Sequence, residues 1–266
     1  MSDKVNTGNN MEDKKLIKNS RKPEGKLGHE ILDRMNKSHE TMARWGVSHF
    51  NIDETDKILD IGCGGGKNLE RFAKQIGKDG CVVGIDYSEV SVEKSTDLNK
   101  QAIDDGKVKV LQGSVSEMPF EDESFDIIFC PVSNVYIEDL TNMWQESYRI
   151  LKKGGLLMVG YMNPWIYVFD ADEVWDQPDK TLIPKYSLPF NARKLEEAGQ
   201  IAIDPEYGYE FSHTLEEQIA GQFRAGFAMI DFYESKDHRN RLSQFGSDYL
   251  ANLSINLGSL STVVGR

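Results

Sequence analysis

The feature that most limits what this chain can fold into lies between residues 57 and 76. A short β-rich run, Lys57-Ile58-Leu59-Asp60-Ile61, ends in Gly62-Cys63-Gly64-Gly65-Gly66. Leu69, Phe72, Ala73 and Ile76 then follow at helical spacing, so the period changes across the glycines from strand to helix. Glycines at such a junction let the backbone turn sharply and approach a ligand, and the helix start behind them attracts negative charge. The segment therefore predicts a parallel α/β fold with a ligand crevice at the end of its first strand.

The rest of the chain repeats that alternation. Cys81-Val82-Val83-Gly84-Ile85 ends at Asp86, and Ser88 with Glu89 predicts a helix start for a segment running to Gly106. Further strands are expected over Val108 to Leu111, Phe125 to Cys130 and Leu156 to Val159, with a helix from Asp139 to Lys152 closing in Lys153-Gly154-Gly155. Short apolar strands separated by amphipathic helices imply parallel pairing, because a parallel crossover needs a dozen or more residues to return. A doubly wound α/β sheet is expected.

Ahead of the sheet, Leu27 to Phe50 carries an apolar stripe of Ile31, Leu32, Met35, Met42, Trp45 and Val47 and predicts a helix. The residues before it, 1–26, hold seven Lys/Arg, four Asp/Glu and few large apolar groups, and are expected to be a tail without a secretory pattern. Behind the fifth strand, residues 163–211 break the alternation with Pro164, Pro178, Pro184, Pro189 and Pro205, yet are rich in aromatic rings. They are expected to be an insertion packed over the carboxyl edge of the sheet, with a helical piece at Ala192 to Ala198. Residues 212–266 are expected to close the fold, with a helix from Thr214 to Ala225, a stop at Gly226, a strand at Met229 to Tyr233 and a last one at Leu260 to Val264. Residues 27–266 thus read as one domain.

Composition narrows the function classes. Of 266 residues, 31 are Lys or Arg and 43 are Asp or Glu, a net charge of −12 that repels phosphate backbones and disfavours nucleic acid as a partner. There is no long apolar run that suggests a membrane span. The three cysteines, Cys63, Cys81 and Cys130, have neither disulfide-framework nor metal-ligand spacing, so a cytoplasmic protein without a metal is expected.

Two nucleotide loops are excluded by spacing. The dinucleotide pattern GxGxxG requires glycine where Lys67 or Leu69 stands, and the phosphate loop GxxxxGK[ST] lacks its first glycine at Ile61 and its hydroxyl at Asn68. What remains, Asp60-x-Gly62-x-Gly64-x-Gly66, resembles the signature of class I S-adenosylmethionine-dependent methyltransferases. Asp86 about 20 residues on, the segment Gln112-Gly113-Ser114-Val115-Ser116-Glu117-Met118-Pro119-Phe120, Phe125-Asp126 and Arg149 to Gly155 are similar to that family in order and spacing, over about residues 57–162.

The resemblance implies a Rossmann-like, mostly parallel seven-stranded sheet with an N-terminal lid helix and an insertion after strand 5. It implies S-adenosylmethionine as cofactor, S-adenosylhomocysteine as product, no metal, and a small-molecule methyl acceptor. Asp60, Gly62, Cys63, Gly64 and Gly66 are then expected along the amino acid end of the cofactor, Asp86 and Tyr87 at the ribose, Ser114 and Val115 at the adenine, and Cys130, ending the fourth strand, in contact with the cofactor through its backbone. Ser114 stands where the family commonly has Asp, and Lys153 where it commonly has Pro. For catalysis, His39 and Tyr136 are the candidates; His39 equally fits helix packing, and Tyr136 a loop anchor. A non-catalytic cofactor-binding module and a protein or RNA methyltransferase are the alternatives, although the Asn/Asp-Pro-Pro-aromatic tetrapeptide of many enzymes of the latter kind is replaced by Cys130-Pro131-Val132-Ser133.

Overall fold

A computed structural model describes residues 23–170, 181–203, 208–234 and 249–258. Seven strands form one sheet: β1 (Lys57–Ile61), β2 (Cys81–Asp86), β3 (Val108–Gln112), β4 (Phe125–Pro131), β5 (Leu151–Met162), β6 (Phe227–Glu234) and β7 (Tyr249–Asn256). Their order is β3-β2-β1-β4-β5-β7-β6. The pairs β1–β2, β1–β4, β2–β3 and β4–β5 are parallel, and β7 runs antiparallel to both of its neighbours. This is the expected doubly wound, mostly parallel seven-stranded sheet.

Both faces of the sheet are apolar, as a parallel sheet covered by helices requires. Ile58, Val82, Ile127 and Phe129 face one layer with Leu69 and Phe72 of α3 (Lys67–Ala73). Leu59, Val83, Ile85 and Ile128 face the other with Met143, Trp144 and Ile150 of α6 (Thr141–Ile150). Between α3 and α6 in the chain come α4 (Glu89–Leu98), capped by the Ser88 side chain accepting from the Ser91 amide, and α5 (Lys100–Asp104), whose Ala102 and Ile103 pack on the α3 side. At the amino end of the sheet, Asp126 accepts from the Lys57 amide at 2.9 Å and from Lys152 Nζ at 2.7 Å, so this acid fastens three strands far from the crevice.

Several boundaries differ from expectation. The N-terminal helix is two helices, α1 (Gly25–Ser38) and α2 (Glu40–Val47), broken at His39, where the backbone leaves helical geometry at φ −92° and ψ 2°. It begins inside the segment expected to be tail: Pro23 is buried, and its carbonyl accepts from Ser88 Oγ at 2.7 Å. The remaining tail, residues 1–22, lies outside the described residues. The helix expected to reach Lys152 stops at Ile150, because Leu151 already pairs with Phe125 as the first residue of β5. Gly154, at φ 78°, takes up the slack before Leu156 resumes pairing with Ile127.

The last strand among the described residues is β7 at Tyr249–Asn256, a segment for which no strand was expected, while Leu260 to Val264 lies outside them. Its polar residues Asn252, Ser254 and Asn256 are buried because they bond to one another's neighbours. Asn252 exchanges hydrogen bonds with Gln222 at 2.8 and 3.0 Å, Ser254 donates to Gln222 at 2.9 Å, and Asn256 donates to the Leu151 carbonyl at 2.7 Å. The helical stretch before β6 was expected; its first turn, Glu216–Ala220, is π-helical, followed by α8 (Gly221–Ala225) and a stop at Gly226 with φ 114°.

The described parts of residues 163–211 lie beside the carboxyl ends of β4 and β5. They include a 3-10 helix at Pro164–Val168 and α7 (Ala192–Glu197), which falls within the expected helical piece. The Phe211 amide donates to the Val135 carbonyl at 2.8 Å, and Asn191 bonds Glu138 at 3.0 Å, so this cap is fastened to the loop that follows β4. No helix among the described residues is long and apolar enough to cross a membrane.

Candidate functional site

One cavity of about 990 Å³ lies between the carboxyl ends of the strands, the lid helices and the cap. Its size is at the upper end of the roughly 300–1,000 Å³ found for ligand pockets, enough for two small molecules side by side. The glycine loop forms its floor. Gly62 and Gly64 have φ of 68° and 52°, and a Cβ on Gly62 would stand 2.4 Å from Ser133 Cβ. Only glycine lets β1 turn here beneath the chain leaving β4.

Seven of the ten residues expected at a cofactor line this cavity: Gly62, Cys63, Gly64, Asp86, Tyr87, Ser114 and Val115. Asp86 accepts from the Gly64 amide at 2.9 Å through one oxygen and from the Ser88 amide at 2.9 Å through the other. Burial raises its pKa, against these amide bonds, which favour the charged form. Tyr87 is exposed over most of its surface at the rim, and Ser114 Oγ accepts from the Ser116 amide at 3.2 Å. The segment carrying Ser114 is held by Arg149, which donates to the carbonyls of Met118 and Phe120 at 3.1 and 2.7 Å while Glu146 accepts from the Met118 amide.

The other three do not line it. Gly66 turns its Cα away from the cavity, toward α4, where an added Cβ would meet Asn99 Nδ2 and Ser95 Oγ at 2.7 Å; its work is close packing of α3 on α4. Cys130 is fully buried, with its sulfur 3.2 Å from Ser133 Oγ, and burial pushes its thiol up to about 12. Asp60 is also fully buried, beneath the loop, and neither of its carboxylate oxygens has a hydrogen-bond partner. Burial and the nearby charge of Asp86 hold its carboxyl well above the usual carboxylate range, opposed by Arg71. A buried carboxylate left in this state carries a penalty that a positive group in the cavity above would offset.

Both catalytic candidates face the cavity. His39 sits at the break between α1 and α2, and Tyr136 ends the 3-10 turn Ser133–Tyr136 after β4. That turn starts from Val132 at φ 63°, a left-handed conformation that a β-branched residue seldom adopts. It is pinned from behind by Asn134, which donates to Gln218 at 2.8 Å and whose carbonyl lies 3.3 Å from His213 Nε2. His213 is buried behind the turn and outside the cavity, and burial lowers its pKa. Met35, Met42 and Trp45, expected as helix packing, are the lid's contribution to the cavity wall.

Sequence reasoning gave no role to three residues here. Asn36 of the lid donates to the Gly65 carbonyl at 3.2 Å, tying lid to loop. Ser133 donates to the Ile61 carbonyl at 3.1 Å and fills the space over Gly62. Arg71, one turn and a half into α3, lines the cavity while bonding Asn68 at 2.6 Å and Glu40 of the lid. The only available signal for Arg71 was its distance from the glycine loop. Of the aromatic residues of the insertion, Tyr167, Phe169, Tyr186, Phe190 and Tyr209 line the cavity, Trp165 is largely exposed and Trp175 lies outside the described residues, while Tyr161, in β5, is buried in the sheet.

Residues 59–159 match the family model of a methyltransferase domain. The chain is 33% identical over 190 residues to the uncharacterized methyltransferase YbaJ of Bacillus subtilis, covering 68% of this chain and 69% of that protein. It is 30% identical over 149 residues to a demethylmenaquinone methyltransferase of Listeria welshimeri, covering 52% of this chain and 63% of that one. Among solved structures, an S-adenosylmethionine-dependent methyltransferase from Mesorhizobium loti superposes with a TM-score of 0.61 at 16% identity, covering 84% of this chain and 99% of that chain.

Proposed function

The chain belongs to the class I S-adenosylmethionine-dependent methyltransferases, and from that premise we propose that it transfers a methyl group to a small-molecule acceptor within the 990 Å³ cavity. The observation that carries this reading is the continuity of that cavity from the glycine loop and Asp86 to the aromatic cap. The first end suits the cofactor and the second encloses a small acceptor. S-adenosylmethionine supplies an electrophilic methyl group on a sulfonium whose leaving group is already activated.

We assign the cofactor to Gly62, Cys63 and Gly64 along the loop, to Asp86 and Tyr87 at the ribose, and to Ser114 and Val115 at the adenine. Asp86 already holds the Gly64 amide, and each carboxylate oxygen keeps further acceptor capacity for a hydroxyl. Asp60 acts from below the loop through its field, as the counter-charge for the cationic end of the cofactor. Residues 27–266 are assigned to one domain, in which the cap and the turn after β4 hold the acceptor in line with the methyl group and exclude water. His39 and Tyr136 lie where a base would reach an acceptor proton, and an acceptor with a free lone pair needs neither.

The demethylmenaquinone methyltransferase relative is named for a small-molecule acceptor, and the net charge of −12 opposes RNA as the acceptor. Incubating the protein with methyl-labelled S-adenosylmethionine and a cell extract, then separating dialysable material from precipitable RNA and protein, tests the reading. Label in the dialysable fraction is expected. Label confined to RNA or protein overturns the small-molecule assignment, and S-adenosylmethionine bound without any turnover points to a non-catalytic module.

A further inference from the structure

Where the lid meets α3, basic groups outnumber the acids they are bonded to. Glu40 of α2 accepts from Arg44 Nε at 2.6 Å and from Arg71, and Glu70 accepts from Lys67 and from Lys74 Nζ at 2.6 Å. These bonds, to Arg44 first for Glu40 and to Lys67 first for Glu70, hold both acids below the usual carboxylate range, so both are charged at neutral pH. Four cations thus share two carboxylates. On a chain of net charge −12, a local excess of positive charge at a cavity wall favours an anionic group in the cavity beside it.

Of the four, only Lys67 and Arg71 line the cavity. Lys67 is the more exposed, its side chain 35% accessible against 12% for Arg71, and its ammonium is bonded to Glu70. Arg71 is buried more deeply and bonded less completely. Its Nη1 donates to Asn68 at 2.6 Å and its Nη2 to Glu40, while its Nε is buried without a hydrogen-bond partner among the described residues. A guanidinium carries five N–H donors in a planar fork that matches a carboxylate at two points, so Arg71 has capacity for a second acid. Its charge also opposes the upward shift of the Asp60 carboxyl, which places it within reach of the loop floor. The remaining charged groups at this end are Asp86, whose oxygens hold the Gly64 and Ser88 amides, and His39, next to Glu40 in the chain.

Resting on the reading of this cavity as a methyltransferase site, we infer that Arg71 holds the α-carboxylate of S-adenosylmethionine. An acid below the loop and a guanidinium beside it then meet the two opposite charges of the cofactor's amino acid end. Glu40 gives up part of the guanidinium when the carboxylate arrives, and Arg44 keeps it neutralised, so the exchange leaves no acid stranded. The other source of a carboxylate at this wall is an anionic acceptor, which a measurement without acceptor separates.

The test compares S-adenosylhomocysteine with its descarboxy analogue, which keeps the adenosine, the thioether and the amine, by titration calorimetry of the full chain with no acceptor present. The wild type is expected to bind S-adenosylhomocysteine at least about tenfold more tightly. Arg71→Met is expected to cut that preference to about threefold or less by weakening S-adenosylhomocysteine alone. Unchanged affinity for the descarboxy analogue reports that the variant is folded. Arg71→Lys, which keeps the charge without the fork, is expected to fall between the two and decides the matter if Arg71→Met does not fold. Lys67→Met is expected to retain the preference. Equal binding of the two ligands by the wild type, a preference that survives both Arg71 variants, or one lost with Lys67→Met or His39→Ala in place of Arg71→Met overturns the inference. Failure of both ligands to bind the wild type removes the underlying methyltransferase reading and the inference with it, a result distinct from equal binding.

Discussion

Asp86, at the end of β2, accepts the amide proton of Gly64 at 2.9 Å. The acid expected at a ribose and the loop expected at an amino acid end are therefore one mechanical unit, held across two adjacent parallel strands. Asp86→Ala removes both the acceptor for the cofactor hydroxyls and the bond that shapes the loop. A loss of about 10–100-fold in S-adenosylmethionine affinity is expected, since a hydrogen bond to a charged group contributes about 1.5–3 kcal/mol. Titration calorimetry of the variant checks it, and an unchanged affinity would remove Asp86 from the site.

Asp60→Asn is expected to act in opposite directions on stability and binding. In the folded chain the Asp60 carboxyl is held well above the usual range, by burial first and by Asp86 second. An acid raised on folding causes no penalty below its unfolded pKa, 3.8 for Asp. The penalty grows as pH rises from there to the folded pKa, because the unfolded chain releases the proton first, and it is constant above. Removing the charge is thus expected to stabilise the cofactor-free protein by about 1–3 kcal/mol near neutral pH, with the gain vanishing toward low pH, while weakening S-adenosylmethionine binding. Urea unfolding at several pH values measures the first effect and calorimetry the second.

Two glycines at positive φ, one in open space and one in close contact, should respond differently to alanine. At Gly154, φ 78°, an added Cβ meets nothing within 4 Å, so Gly154→Ala is expected to cost about 1–2 kcal/mol of backbone strain alone. At Gly62, φ 68°, the same Cβ stands 2.4 Å from Ser133, adding an overpacking cost of about 1–3 kcal/mol and displacing the loop. Chemical denaturation compares the two, and only Gly62→Ala is expected to lose S-adenosylmethionine binding.

Ser88 both caps α4 and receives the lid, since its hydroxyl donates to the Pro23 carbonyl and accepts from the Ser91 amide. Ser88→Ala is expected to lower global stability by about 1 kcal/mol, the value of an N-cap. It is also expected to make the chain near Pro23 and Gly28 open to limited proteolysis while the sheet stays resistant. Cleavage at the wild-type rate would show that the lid is held by its apolar stripe alone.

Much of this was legible from residue types because it depends on local rules. The five parallel strands read as apolar runs, the glycine loop and Asp86 as strand-end chemistry, and the Ser88 cap as a hydroxyl before an acid. What was not legible depends on partners distant in sequence. Tyr249–Asn256 does not look like a buried strand because Asn252 and Ser254 are polar; only with Gln222 thirty residues earlier do those groups become satisfied. Gly66 belongs to the same motif as Gly62 and Gly64, yet which way its Cα faces is decided by Asn99 and Ser95 of α4. Asp60 carries the family signature while lying under the loop instead of in the cavity, a distinction of depth that one-dimensional spacing does not contain. Glu40 and Asn36 reach their places through the lid, whose packing follows from tertiary contact.

The measurement that tests the central claim most directly is a calorimetric titration of the full chain with S-adenosylmethionine, run beside Asp86→Ala and with NAD as the control ligand. Saturable heat and thermal stabilisation are expected from S-adenosylmethionine with the wild type, sharply weakened binding with Asp86→Ala, and nothing from NAD. No heat and no stabilisation from S-adenosylmethionine, or equal binding by the wild type and Asp86→Ala, would contradict the assignment of this cavity.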